Sequence, residues 1–300
     1  MATPYSYDQN NIYTNIAVAL SAVFMEEMLM QDDVVGLYNI EDSESAVERN
    51  QAAGGFGKFR KYDGAINYQS TEPLYRADYE HDEFAEGFAI PRKLIDDDEY
   101  GQMSGQARAL GEALDYTVID EMVSVFNNAF SSSYLGPDEV ALCSDSHPYS
   151  PTNSDTQDNK RTTALTHDAV VTDRKDMLLF ENSRGLKSPA ILDTILVHPD
   201  NMEEAKVIVE SQNKSGTANN DTNTTRNIRA LTSPLLTDSN NWFSIDSRKA
   251  RRLLRWYWRV RPEFGMDPSS DFNLAMKVRA YARWSYGWDD WRWVIGHEVA

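Results

Sequence analysis

Cysteine is almost absent from this chain. Cys143 is the only one in 300 residues, which excludes an intrachain disulfide and a cysteine-rich zinc site and points to a reducing intracellular setting. Positive charge is scarce as well. Lysine and arginine number 29 against 47 acids, a net charge of −18, so the overall field does not grip nucleic acid. Long apolar runs are missing. The best one, Ile16 to Met25, is too short to cross a bilayer and ends at Glu26 and Glu27, so it predicts an amphipathic helix rather than a membrane span or a signal peptide. A phosphate-binding loop fails too: Gly54-Gly55-Phe56-Gly57-Lys58 lacks the spacing before lysine and the hydroxyl residue after it. Neither a dinucleotide fingerprint nor a zinc-protease motif occurs, and no cofactor is expected. What is present, 41% hydrophobic and 11% aromatic residues, is too much for disorder and enough for a sizeable core.

The strongest positive signal is helical. From Tyr100 to Phe130, residues Met103, Ala107, Leu110, Leu114, Val118, Met122, Val125 and Ala129 recur at three- and four-residue steps without a proline, which places them on one helix face. Such a helix is roughly 45 Å long at ~1.5 Å per residue, a spine for the rest of the chain. All seven tryptophans (Trp242, Trp256, Trp258, Trp284, Trp288, Trp291 and Trp293) fall in the last fifth of the sequence, so heavy packing or an interface is expected there. Two runs near this end, Leu254–Arg261 and Met276–Tyr286, alternate apolar and polar residues as half-buried strands do. Shorter predictions are a strand at Ala190–Val197, a helix at Met202–Glu210, a strand at Trp242–Ile245, a helix at 165–182 capped by Thr166 or Asp168, and a last strand at Trp291–Ile295.

The first half is less self-sufficient. Residues 1–50 read as an arm with a helix near Ile12–Met30 and no core of their own. Residues 51–90 read as a long hairpin: Phe56–Tyr62 is strand-like, Asp63-Gly64 is a turn signal, and Leu74–Ile90 is extended. A two-stranded ribbon is marginal alone in water, so this one needs a partner surface.

Three clusters carry possible chemistry. Cys143-Ser144-Asp145-Ser146-His147 gathers a thiol, hydroxyls, a carboxylate and an imidazole, which leaves open a hydrolase using Cys143 or Ser146 with His147, although neighbours in sequence rarely meet as a triad does and these are ordinary turn formers. The acids Asp96 to Glu99 precede the long helix, where they complement its dipole better than they would converge on a metal ion. The basic run Arg248, Lys249, Arg251, Arg252, Arg255, Arg259 and Arg261, interleaved with Trp256, Tyr257 and Trp258, reads either as a nucleic-acid surface or as a strand facing acids of the same or a neighbouring chain; the acidic balance favours the second.

An arm, a ribbon without a core, a spine helix and then α+β material resembles the major capsid protein of tailed bacteriophages, the Hong-Kong-97-type fold. Local segments sharpen the likeness: Ala141-Leu142-Cys143-Ser144-Asp145-Ser146-His147-Pro148, Thr237-Asp238-Ser239-Asn240-Asn241-Trp242-Phe243, and Arg283-Trp284-Ser285-Tyr286-Gly287-Trp288-Asp289-Asp290-Trp291-Arg292-Trp293. The resemblance implies an N-terminal arm at 1–50, an extended loop at 51–90 lying over an adjacent subunit, a peripheral domain at 91–185 with the spine at 100–130, an axial domain at 186–265, and strands returning to the peripheral domain at 266–300. It further implies a non-enzymatic virion protein that assembles in the host cytoplasm with copies of itself, as hexamers and pentamers, into an icosahedral shell around double-stranded DNA. Because the chain starts at the arm, the scaffolding protein is expected to be separate; a portal and decoration proteins are further expected partners. The subunit interface is expected to use Lys58, Arg60, Lys61, Asp78, Glu80, Asp82, Glu83, Glu86, Arg255, Arg259 and Arg261. A cellular nanocompartment shell of the same fold, an encapsulin, is the alternative.

Overall fold

The structure is a computed structural model, and it describes residues 9–66, 68–71, 73–97, 100–214, 221–267 and 275–300. Asp98 and Glu99 of the acidic run and residues 215–220 of a polar loop lie outside the described residues. Helix α1 (Gln9–Glu26) is followed by a 3-10 turn (Asp33–Leu37) and strand β1 (Asn39–Asp42). Strands β2 (Val47–Ala53), β3 (Pro73–Glu80) and β4 (Asp82–Pro91) lead through a short helix, α2 (Arg92–Asp96), into the long helix α3 (Tyr100–Asn127). Next come β5 (His147–Ser150), β6 (Asn153–Gln157), β7 (Lys160–Arg161), α4 (His167–Leu179), β8 (Thr194–Val197) and α5 (Met202–Glu210). The chain finishes with β9 (Arg229–Thr232), β10 (Trp242–Ile245), α6 (Ser247–Leu253), β11 (Leu254–Asp267), β12 (Ala275–Trp288) and β13 (Val294–His297).

Two sheets carry the architecture. One has four strands in the order β1-β11-β12-β4, built on the long antiparallel pair β11 and β12. Its alternation is the one the sequence shows: Met276, Val278, Ala280, Ala282 and Trp284 are buried, while Lys277 and Arg279 are exposed. The other has five strands in the order β7-β13-β10-β8-β9, and the residues of β8, β10 and β13 are buried throughout, as strands covered on both faces must be.

Helix α3 links the two sheets. Near its start, Met103 and Ala107 pack with Ile16 and Leu20 of α1 and with Ile90, Met276 and Val278 of the four-stranded sheet. Its far end buries Val118, Met122, Val125 and Phe126 among Trp256, Trp284, Phe243 and Trp293. The Phe126 ring lies 5.3 Å from that of Phe243 and 6.1 Å from that of Trp293. Each such side chain contributes about 1.5–3 kcal/mol by leaving water, so the helix end, the Trp-rich strands and the five-stranded sheet form one continuous core. At Gly111 the α1 and α3 backbones approach so closely that a Cβ would sit 2.7 Å from the Phe24 carbonyl oxygen.

Several expectations need correction. Phe56–Tyr62 forms no strand; residues 54–72 carry no regular structure among those described, and the antiparallel pair is β2 with β3, further down the ribbon. The extended piece Leu74–Ile90 is two strands that part at His81, one joining β2 and the other β12. The basic run is half helix: the Asp246 side chain accepts hydrogen bonds from the Arg248 and Lys249 amides and starts α6, whose last turn holds Arg251 and Arg252 where the helix dipole favours cations. The two sheets divide the C-terminal half of the chain between them. Residues 254–265 run along β12 in the four-stranded sheet, whereas β13 enters the five-stranded sheet between β7 and β10.

Candidate assembly interface

The ribbon is fastened at its base by a single carboxylate. Asp289, just past the end of β12, accepts hydrogen bonds from the Tyr79 hydroxyl at 2.7 Å, from the Asn50 amide at 3.0 Å and from Arg255 Nε at 2.8 Å. It thereby ties β3, β2 and β11 to one point. Burial first, and then the Asp289 charge, hold the Tyr79 hydroxyl far above its ordinary range, so it stays a donor. Gly287 adopts φ +155 here, with the Tyr79 ring so close that a Cβ would stand 2.8 Å from it. Sequence reasoning gave Asp289 only as part of the segment Arg283–Trp293 and missed the clamp; two adjacent acids between Trp288 and Trp291 were the available signal.

Beyond this base the ribbon touches the body at Ser70, whose carbonyl accepts from the Arg184 guanidinium at 2.7 Å, but its large apolar side chains are left in solvent. Phe56, Phe59, Tyr62, Ile66 and Tyr68 are exposed, Phe59 to 95%. A cluster of large apolar side chains in water on one loop is a mark of an interaction surface. Lys58, Arg60 and Lys61 are exposed between them, and among the described residues no acid of the same chain pairs with any of the three. The sequence reading weighted the charges of this loop and passed over its aromatics, although they recur every three to six residues between glycines and a proline.

The other predicted interface residues divide into two groups. Glu80, Asp82 and Glu86 lie exposed on β3 and β4 without an ion pair among the described residues. The rest have partners within the chain. Asp78 pairs with Arg76 at 2.7 Å and Glu83 with Arg283 at 3.2 Å. Arg255 meets Asp289 and, at 3.3 Å, Glu41. Arg259 donates to the Ser43 carbonyl, and Arg261 grips Asp42 at 2.7 Å. These arginines face the arm of their own subunit because β1 lies parallel beside β11, Asn39 opposite Arg255 and Asp42 opposite Trp258.

Cys143 and His147 make no nucleophile–base pair. Cys143 is buried and burial pushes its thiol well above the usual range, with Lys160 opposing only in part, the opposite of an activated thiolate. Both His147 ring nitrogens are engaged elsewhere, Nδ1 with Asp138 at 2.7 Å and Nε2 with Asn159 at 3.1 Å.

A surface with exposed apolar side chains and uncompensated charge suits assembly. The sequence matches the model of a protein family described as phage capsid protein over residues 76–296. The chain belongs to the phage capsid protein family. This capsid subunit is a structural component of the virion, the major protein of a phage head shell, and not an enzyme. Comparison with curated proteins finds no match. Solved structures share its fold at low identity. The capsid of the cyanophage P-SCSP1u aligns with a TM-score of 0.60 at 12% identity, covering 90% of this chain and 88% of that one. The virus-like particle of Pyrococcus furiosus aligns at 0.55 and 11%, covering 93% and 98%. The bacteriophage JBD30 capsid decorated with minor capsid protein trimers aligns at 0.55 and 12%, covering 69% and 91%. The capsid subunit therefore has the Hong-Kong-97-type architecture.

Proposed function

We propose that this subunit builds its shell from hexamers and pentamers, closed into an icosahedron around double-stranded DNA, and that loop 54–72 is the element that reaches the adjacent subunit. The observation that carries this reading is the loop itself: five large apolar side chains stand exposed around three unpaired cations on a ribbon with no core. Such a surface is covered only by another chain, and a head-to-tail contact repeated about an axis closes a ring. The acids left over on the same molecule, Glu80, Asp82 and Glu86, supply the matching charge on a neighbour. Arg255, Arg259 and Arg261 instead hold the arm to its own subunit. We assign the body around α3 and the four-stranded sheet to the peripheral domain, and the five-stranded sheet with α4 and α5 to the axial domain at the capsomer centre. A scaffolding protein, a portal and, as on the JBD30 capsid, decorating trimers complete the set of proposed partners.

The test is charge reversal. Changing Lys58, Arg60 and Lys61 to glutamate should abolish shells in electron micrographs while leaving a folded subunit by circular dichroism. Combining it with Glu80→Lys, Asp82→Lys and Glu86→Lys should restore part of the assembly. Shell formation by the first variant at the wild-type yield would remove the loop from the interface.

A further inference from the structure

Strand β4 is one edge of the four-stranded sheet, and it pairs with β12 without a break from Asp82 to Pro91. Among the described residues, no strand and no backbone hydrogen bond covers its other side. Two observations show which groups face outward. The Val278 carbonyl points at β4 so closely that a Cβ on Gly87 would stand 2.3 Å from its oxygen. The Gly87 N–H turns instead to its own Glu86 carboxylate, at a loose 3.4 Å. Backbone groups of successive residues alternate between the two sides of an antiparallel strand. Val278 lies opposite Phe88, so the even-numbered residues bond to β12. Glu83, Ala85, Gly87 and Ala89 therefore present their N–H and C=O groups to solvent. The next residue of that series is Pro91, which has no N–H to leave open.

An open edge ten residues long is a template for another strand. Neither face of this one obstructs it. Ala85, Gly87 and Ala89 are small and exposed on one side, and Phe84, Phe88 and Ile90 on the other already lean on the core of their own subunit. Charge runs from end to end. Asp82 and Glu83 open the strand, while Arg92 and Lys93, both exposed, follow Pro91. A parallel copy would set like charges side by side, whereas an antiparallel copy sets the acidic end of each strand near the basic end of the other.

We propose that β4 is the surface by which two copies of this subunit join across a two-fold axis, edge to edge and antiparallel, into one continuous sheet. The register follows from the sequence. Residues directly opposite share a face, so the central residue must meet its own copy. Centred on Glu86, acid meets acid. Centred on Phe88, Pro91 falls opposite Ala85 and removes a bond from within the ladder. Centred on Gly87, Ala85 meets Ala89 and Phe84 meets Ile90 of the second copy, and Pro91 lies at the end. This contact is distinct from that of loop 54–72. A head-to-tail loop closes a ring, and rings need a self-complementary contact to join one another. Edge pairing uses backbone groups, so the Glu80, Asp82 and Glu86 carboxylates stay accessible from the faces of the sheet.

The test is a disulfide. Ala85 and Ala89 lie about 13 Å apart along one strand, too far to bridge. In the proposed register each meets the other's counterpart with Cα atoms about 5.5 Å apart, inside the span of roughly 4.4–6.8 Å that a disulfide covers. Shells of the double variant Ala85→Cys/Ala89→Cys, oxidised and run without reductant, should migrate as covalent dimers, and either single variant as monomers. Cys143, the one native cysteine, is buried and does not interfere. Double-variant shells that give only monomers overturn the pairing. If that variant makes no shells, wild-type protein decides by amide hydrogen exchange: segment 82–91 should gain protection between free subunits and shells, and equal exchange in both overturns the pairing. Ala85→Pro removes an outward N–H that the subunit itself does not use. It should still form rings but no shells, which separates this contact from the loop's, and shells at wild-type yield would refute it.

Discussion

Replacing Asp289 by alanine tests whether the ribbon depends on one carboxylate. The change deletes three hydrogen bonds and leaves the Tyr79 hydroxyl, on a residue only 6% exposed, without an acceptor. A buried donor left unsatisfied costs about 1–3 kcal/mol. Arg255 is cushioned, since its side chain is 21% exposed and keeps Glu41; its lost pair adds on the order of 1 kcal/mol at most after solvent screening. The expected total is about 3 kcal/mol. Tyr79→Phe alone should cost about 1 kcal/mol. Added to Asp289→Ala, it should cost almost nothing, because the hydroxyl that Asp289→Ala strands is then absent. Urea unfolding of the unassembled subunit reads all three variants as a double-mutant cycle. A coupling energy near zero, or an Asp289→Ala midpoint equal to wild type, would refute the clamp.

Two further outcomes follow from local geometry. Gly111→Ala should destabilise by about 1–3 kcal/mol through its clash with the Phe24 carbonyl, despite the gain of about 1 kcal/mol in helix propensity. Gly105→Ala, with open space at its Cβ, should keep that gain and raise the melting temperature; equal shifts for the two would rule out the close approach. The second outcome concerns His81, which joins β3 to β4 between the Ser43 and Ser285 hydroxyls at 3.1 and 3.0 Å. Its pKa is lowered by burial, with Arg283 and Arg259 adding to the effect. The folded state therefore binds this proton less well than the unfolded chain. Its contribution is full above about pH 6.5, the ordinary imidazole value, and is lost as pH falls from there towards the lower folded-state value. Stability measured from pH 8 to 5 should fall less steeply in His81→Gln, and an unchanged slope would exclude the residue.

The parts of the fold that were legible in the sequence are those whose signal is local. Helix α5 and strand β10 occur at the residues predicted, Met202–Glu210 and Trp242–Ile245, and α3 starts at Tyr100 and ends three residues before Phe130. Their periodicity is strong and turn residues bound them. The ribbon was misplaced because its pairing is decided elsewhere: Asn50 and Tyr79 are fixed by Asp289, 239 and 210 residues away in the chain, and no window contains both ends. The same limit hid the partners of Arg255 and Arg261, which lie 214 and 219 residues upstream in β1. An alternating basic strand states that acids are wanted and is silent on whose they are. The exposed aromatics of loop 54–72 were in plain view, but apolar residues in a short stretch ordinarily mean burial, and only the coordinates place them in water.

The parallel pairing of β1 with β11 also sets a timetable. Asp42 waits for Trp258, so at roughly 5–20 residues per second of synthesis the arm spends on the order of 10–40 s on the ribosome with its strand edge unmatched. No part of the four-stranded sheet can close before β11 and β12 emerge, because β1 and β4 both pair only with those late strands. The nascent subunit thus carries loop 54–72, its arm and an open edge in one molecule while still incomplete. On the docking role proposed for that loop, a neighbour that met it then would find the loop before the body that orients it exists. On that proposal, fidelity of the shell depends on the last fifth of the chain arriving before the first contact between subunits does.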